Sequence, residues 1–414
     1  MNHLDQILTG RRYYLPEEWP AVEAAAAQHG LNGTRMRFDL AHPDEGWRRV
    51  TVDRRNPMTE QITGEAFVLN RILQEHRIAA SIDVHDIINP GRGVLIYGLT
   101  PKPGLRINAI ESRLRELTEA ISTYRQQRTP VRLRHTPLAL EVPHPDQSPL
   151  HFTDASLPAK PHVAAIGQSF DYNGAHNEVI DFNRTAHVLI AGTTGSGKST
   201  LLNSLVLSLC HVTDPADLRI ILVDLKNEDL VPLMPLPHMT YFAADAERAE
   251  RAIGNVWAEK NRRVESGRQR YQRWVLVIDE LAELTHMTDI AKPLASILAI
   301  GRSKRIHVIA ATQKPTAAIV GSVAKGNFTN RLVGRVLSAE DSRTATGQAQ
   351  LRCELLPGNG SFLRIDGPDP VRLQGYFMDA DEVDRRVERI AAHWMRQQPL
   401  STHNNSLSDQ EPTP

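Results

Sequence analysis

The sequence predicts an α/β protein, with a doubly wound parallel-sheet domain over residues 162–385 and a smaller α/β module before it, over 61–155. Three observations carry this. Short apolar runs recur between helical stretches, at 188–191, 220–223, 275–278, 308–311 and 332–337, the last interrupted only by Arg335. Such runs read as strands buried on both faces of a parallel sheet. A glycine-rich loop follows the first run and opens a helix. Acidic and amide residues stand at the C-terminal ends of two others, where ligands bind in open α/β sheets.

The smaller module reads as helix, strand, helix, strand. Phe67, Leu69, Ile72 and Leu73 share one face of a helix over 62–76. A strand over 94–99 is closed by turn signals at Pro101, Pro103 and Gly104. Ile107, Ile110, Leu114, Leu117 and Ile121 then recur at spacings of three and four, one stripe along a single helix. A second strand covers 138–142, and Pro145, Pro149, Pro158 and Pro161 mark a linker. Residues 1–60 carry little chemistry. They show a strand-like run at 47–52 and an Ala-rich, helical stretch at 21–27. Residues 386–414 hold the end of a last helix and a polar tail expected to be disordered.

Composition excludes several classes. Of 414 residues, 41% are apolar and 23% charged, enough for a large core. Lys plus Arg and Asp plus Glu are each 48, so any nucleic-acid contact must come from local patches rather than a basic excess. Cys210 and Cys353 read as buried free thiols. No CxxC or HExxH spacing points to zinc. No apolar run approaches the ~18–20 residues that span a bilayer, and the N-terminus is no signal peptide, so no membrane insertion and a cytoplasmic location are expected.

The strongest motif is Gly192, Thr193, Thr194, Gly195, Ser196, Gly197, Lys198 and Ser199, a complete GxxxxGKS, with Thr200 continuing into the helix. Its glycines let backbone N–H groups curl around the phosphates of ATP, and the helix N-terminus adds partial positive charge. Lys198 is expected on the β and γ phosphates and Ser199 on Mg²⁺. Asp279 and Glu280 follow the apolar run at 275–278. Asp279 is the second metal ligand, and Glu280 orients and polarises the attacking water. The run at 306–311 ends in Thr312 and Gln313, which places Gln313 by the γ-phosphate as a sensor. Arg302, in the cluster 301–305, is either a solvated surface arginine or a group lent to a neighbouring subunit's transition state.

Together these residues resemble one family, the FtsK/SpoIIIE motor domain, whose members are hexameric DNA translocases with a RecA-like P-loop NTPase fold. The resemblance covers about 62–385. HVLIAGTTGSGKST (187–200) looks like its Walker A stretch and VLVIDELAEL (275–284) its Walker B. GRSKRIHVIAATQKP (301–315) is similar to its arginine-finger and sensor stretch, which puts Arg302 on the finger and Gln313 on the sensor. The segments 337–348 and 357–367 are similar to its closing stretches, and 93–121 with 138–144 to its second tier. Asp224, Leu225 and Lys226 stand where the family has Asp-Pro-Lys, which leaves Lys226 a softer assignment.

The resemblance implies an ATPase working as a hexameric homo-oligomer on double-stranded DNA without sequence preference. The chain shows neither the family's membrane region nor its DNA-reading winged helix. That suggests a plasmid, phage or integrative-element setting with partner proteins of that element. Phosphate contacts are expected from one of two basic segments. One holds Arg251, Lys260, Arg262, Arg263, Arg268, Arg270 and Arg273. The other holds Arg125, Arg128, Arg132 and Arg134. Two other readings stand beside this one: a secretion-type ATPase that moves protein, and a nucleotide-gated module that binds a partner without translocating.

Overall fold

The computed structural model describes residues 13–14, 35–38, 48–51, 57–89, 93–135, 137–171, 174–268, 270–284, 286–315, 326–367 and 369–397. The helical expectation at 21–27 and the tail at 401–414 lie outside these residues. The chain forms two compact units, Met1–Asp86 with Leu99–Arg128, and Ile87–Gly98 with Thr129–Pro414.

In the first unit, helix α1 (Pro57–Glu75) packs against helix α2 (Leu114–Arg125), with Leu69, Leu73, Leu117 and Ile121 buried between them. Glu65 and Arg125 make a two-pronged ion pair at 2.6 and 2.7 Å, buried from water. The stripe at 107–121 is not one helix. A short helix, Ile107–Glu111, ends at Ser112, and α2 restarts at Leu114, so the stripe turns a corner while Ile110, Leu117 and Ile121 stay fully buried. Strands Tyr13–Tyr14, Arg35–Phe38 and Arg48–Thr51 pair antiparallel.

The second unit is organised by one large sheet. In chain order its strands are β4 (Val163–Asp171), β5 (Gly174–Asp181), β6 (Val188–Ala191), β7 (Leu218–Val223), β8 (Met239–Ala243), β9 (Arg273–Ile278), β10 (Ile306–Thr312), β11 (Asn330–Val333), β12 (Ser361–Ile365) and β13 (Val371–Phe377). A small antiparallel ladder precedes them, of β1 (Val94–Pro101), β2 (Arg132–His135) and β3 (Leu138–Pro143). Across the large sheet the order is β5-β4-β13-β12-β11-β6-β10-β9-β7-β8. From β11 to β8 every pair is parallel, and from β11 to β5 every pair is antiparallel.

The parallel strands read as unbroken apolar runs because both faces are covered. Ile190, Ile220, Leu222, Val275, Val277 and Ile309 face helices α3 (Lys198–Val212) and α6 (Ala380–Gln397). Their neighbours Leu189, Ile221, Leu276, Ile278 and Val308 face α4 (Ala246–Ser266) and α5 (Thr288–Ile300). This is the two-residue alternation of a strand, read into two cores. Truncating one such side chain, Leu205 of α3 for instance, costs about 2–5 kcal/mol. The last run ends earlier than expected. β11 stops at Val333, and Arg335 lies in the loop beyond it. The proline-rich linker is packed rather than loose: Leu150–His151 pairs with β13, and Leu150 and Phe152 are buried in the core. Cys210 and Cys353 are buried and free.

Candidate active site

Strand β10 lies between β6 and β9, with Ala191 opposite Thr312 and Ile278 opposite Ala310. Because all three run parallel, their C-terminal ends open on one cleft. That juxtaposition brings together residues far apart in sequence.

The phosphate loop leaves β6 at Gly192. Its outer side is pinned from three directions. Gly192 N–H donates to the Thr312 carbonyl at 3.1 Å, and Thr193 donates through N–H and hydroxyl to the Arg335 carbonyl at 2.8 and 3.1 Å. Asn359 and Gly360 donate their N–H groups to the carbonyls of Gly195 and Ser196, at 3.0 and 2.9 Å. Gly195 and Gly197 sit at φ +77 and +94, a region open to glycine. A Cβ on Gly197 would stand 2.8 Å from the Gly360 nitrogen. The loop is thus held in its curled form from behind, and α3 begins at Lys198.

Lys198 and Asp279 are both buried and paired, with Nζ 3.0 Å from the carboxylate and 3.2 Å from the Asp279 carbonyl. Burial pushes the Asp279 carboxyl above its ordinary range, Lys198 opposes that, and Asp229 and Asp224 add to it. The cluster is therefore short of positive charge. Ser199 donates its hydroxyl to Asp229 at 2.5 Å. Asp224 is otherwise engaged, accepting from the backbone of Lys226, Asn227, Glu228 and Leu230 at 3.0–3.2 Å. A serine hydroxyl beside two hard carboxylates fits Mg²⁺, which binds one or two carboxylates and takes its remaining oxygens from phosphates and water.

Glu280 is oriented by two backbone donors, Gln313 N–H at 2.9 Å and Ala282 N–H at 3.1 Å. The Thr194 hydroxyl reaches the Gln313 side-chain oxygen at 3.4 Å. A chain of contacts therefore runs from the phosphate loop through Gln313 to Glu280. Thr200 stands on the first turn of α3. Lys226 lies at the rim, 3.6 Å from Glu283. Burial works against its charge, but Glu283, Glu280 and Asp279 raise its pKa.

Arg302 is elsewhere. It is exposed in the turn Gly301–Lys304, which precedes β10, whereas Gln313 follows it. A strand of seven residues separates the two ends, roughly 20 Å. Arg302 cannot serve the cleft of its own chain.

The basic segments are largely spent on folding. Arg263 is buried, bonded to Glu259 at 2.6 Å and to the Lys304 carbonyl at 2.7 Å, and lies over the rings of Tyr271 and Trp274. Lys260 donates to Ser296 at 2.6 Å, and Arg273 to His307, Asn183 and the Phe182 carbonyl. Arg125 holds Glu65, and Arg132 holds Glu141 at 3.0 Å. Arg251 and Arg262 pair with Glu247 and Glu259, while Arg268 and Arg270 are exposed. The two phosphate-binding patches expected from charge counts therefore shrink to a few side chains.

Sequence reasoning missed Asp229 and the carbonyl of Arg335. The charge of Arg335 within an apolar run was its one signal. Asp229 had none.

Residues 159–273 match the FtsK/SpoIIIE family model. DNA translocase SftA of Bacillus subtilis is 30% identical over 371 residues, covering 82% of this chain and 38% of that protein. DNA translocase FtsK of Bacillus cereus is 26% identical over 373 residues, covering 81% and 46%. The chain thus spans less than half the length of these two relatives. Among solved structures, the conjugation coupling protein TcpA of pCW3, in monomer form with ATPγS, superposes with a TM-score of 0.54 at 18% identity, over 79% of this chain and 99% of that one. ATPases 2 and 3 of EssC from Geobacillus thermodenitrificans give 0.52 at 20% identity, over 61% and 53%. These two likenesses speak for the fold alone. Among the described residues no helix is long and apolar enough to cross a membrane. With the family match resting on the phosphate loop and the adjoining sheet, the chain belongs to the FtsK/SpoIIIE family of P-loop ATPases.

Proposed function

We propose that this chain is an ATP-driven translocase of double-stranded DNA that works as a hexameric ring in the cytoplasm. The observation that carries the reading is the split of the candidate catalytic groups between the two ends of β10. Lys198, Asp279, Glu280 and Gln313 share one cleft, and Arg302 stands exposed before the strand's other end. A ring in which each Arg302 reaches the next subunit's cleft makes such a site whole. The names of the relatives, both DNA translocases, support DNA as the substrate.

In this reading the Lys198 ammonium exchanges Asp279 for the β and γ phosphates. Ser199 and Asp279, with Asp229 beside them, would hold Mg²⁺, which would supply positive charge against the phosphates. Glu280 accepts a hydrogen bond from the attacking water, and Gln313, whose backbone N–H donates to Glu280, reports the γ-phosphate to it. The test is ATPase activity with and without duplex DNA, alongside the mass of the assembly. Stimulation by DNA and a ring-sized mass are expected. If the protein forms rings but duplex DNA changes neither its ATPase rate nor its mobility, the reading fails. Stimulation by a polypeptide instead would make it a protein motor.

A further inference from the structure

Beside the phosphate loop lies a hollow of about 350 Å³, within the range of small-ligand sites, roughly 300–1,000 Å³. One wall is the loop itself, at Gly195, Gly197 and Thr200, so the hollow opens where a triphosphate chain would leave the start of α3. The opposite wall is apolar, built from Pro149 and Phe377, with Gln147 at its edge. These walls are fixed. The turn at Asn359 and Gly360 is stapled to β13 by Gln374 Nε2, which donates to the Asn359 carbonyl at 2.7 Å, and by Gly375 N–H, which donates to the Gly360 carbonyl at 2.7 Å. The segment bearing Gln147 and Pro149 is anchored through His144, whose N–H donates to the Gly93 carbonyl at 2.9 Å.

Two side-chain amides line the hollow, that of Asn359 and that of Gln147, and the latter is fixed by its neighbours. Its amide nitrogen is held by the backbone carbonyls of Gly93, at 3.3 Å, and His144. That fixes the amide plane and leaves the oxygen as the end that can meet a ligand. Adenine offers an amino donor where guanine offers a carbonyl acceptor. An amide oxygen accepts from the first and repels the second.

We propose that this hollow seats the base and ribose of the nucleotide, and that the Gln147 side-chain oxygen selects adenine by accepting from its exocyclic amine. The assignment rests on the nucleotide reading of the adjoining loop.

The experiment measures binding of fluorescent ATP and GTP analogues to the full chain, with inorganic tripolyphosphate as competitor. The unaltered protein prefers ATP by about tenfold or more, the scale of one or two hydrogen bonds. Gln147→Met brings the ratio near one, while tripolyphosphate competes as before because the phosphate loop is untouched. Phe377→Ala weakens both nucleotides several-fold and again spares tripolyphosphate. An unaltered protein without base preference, or a Gln147→Met variant that keeps it, overturns the proposal. So does tripolyphosphate affinity falling in step with ATP. If base selection follows Gln147 but duplex DNA does not stimulate hydrolysis, only the translocase reading fails. If DNA stimulates hydrolysis and Gln147→Met changes nothing, only this assignment fails.

Discussion

At its C-terminal end, strand β10 hands Gln313 into a cleft where Thr194, Lys198, Asp279 and Glu280 already converge. At its N-terminal end it is preceded by Arg302, exposed and some seven strand residues from that chemistry. The first end is crowded with buried charge. The second end is rigid but chemically idle on its own, stiffened by Arg273, His307 and His187, with Val308 N–H donating to His187 Nδ1 at 2.9 Å. One chain thus carries a phosphate-loop cleft and, at the far end of the same strand, an arginine that the proposed ring would bring to a neighbour's cleft.

This comparison can be broken at either end. The largest effect is expected at the cleft. Lys198→Ala removes the one cation paired with Asp279, so ATP binding and hydrolysis should both be lost, a rate drop of about 10³-fold or more. Glu280→Gln should separate the two steps, keeping ATP bound while hydrolysis stops; titration with a fluorescent ATP analogue and a phosphate-release assay read them apart. At the far end, Arg302→Ala should lower the rate by about 10³–10⁵-fold with ATP affinity nearly intact, since a finger acts in the transition state. A loss confined to affinity would place Arg302 outside the reaction.

Smaller effects separate folding charges from functional ones. Arg263→Ala strips a buried guanidinium from Glu259, the Lys304 carbonyl and two aromatic rings, and should cost about 3–5 kcal/mol, visible as a lower denaturation midpoint. Arg268→Ala, at an exposed position, should leave that midpoint unchanged. The imidazoles give the gentlest test. Burial pushes His187 and His238 down to about 4, and Asp214 and a hydrogen bond to the Thr213 carbonyl only partly offset this at His238. Both groups have folded pKa values below their unfolded ones. Their neutral forms therefore support the fold fully above about pH 6.5, and that support is lost as pH falls toward 4. Melting followed by circular dichroism should show a loss of roughly 10 °C between pH 7 and pH 5. Replacing both rings by glutamine should lessen the slope, with His162 and His307, likewise held down by burial, supplying what remains.

Much of the cleft was legible in the sequence because its demands are local. A curled phosphate loop needs glycines at fixed spacing, and a buried strand ending in Asp279 and Glu280 announces itself by its apolar run. The parallel sheet was legible for the same reason. What failed were inferences that need burial. Arg263, Arg273, Arg125 and Arg132 look like a DNA-facing surface in a charge count, yet each is turned inward against a carboxylate, a carbonyl or a ring. The stripe from Ile107 to Ile121 has the period of one helix, and periodicity does not register the corner at Ser112. Nor can spacing reveal that β10 inserts between β6 and β9, which is what sets Gln313 between the phosphate loop and Glu280.

The most direct test of the split site mixes two inactive proteins. Lys198→Ala destroys the cleft and keeps the lever; Arg302→Ala does the reverse. Random co-assembly of equal amounts leaves about a quarter of the sites with an intact Lys198 facing a neighbour's intact Arg302. DNA-stimulated ATPase activity should reappear in the mixture at a sizeable fraction of the unaltered rate. Activity that stays at the average of the two separate variants, in assemblies shown by mass to be mixed, would contradict the split site.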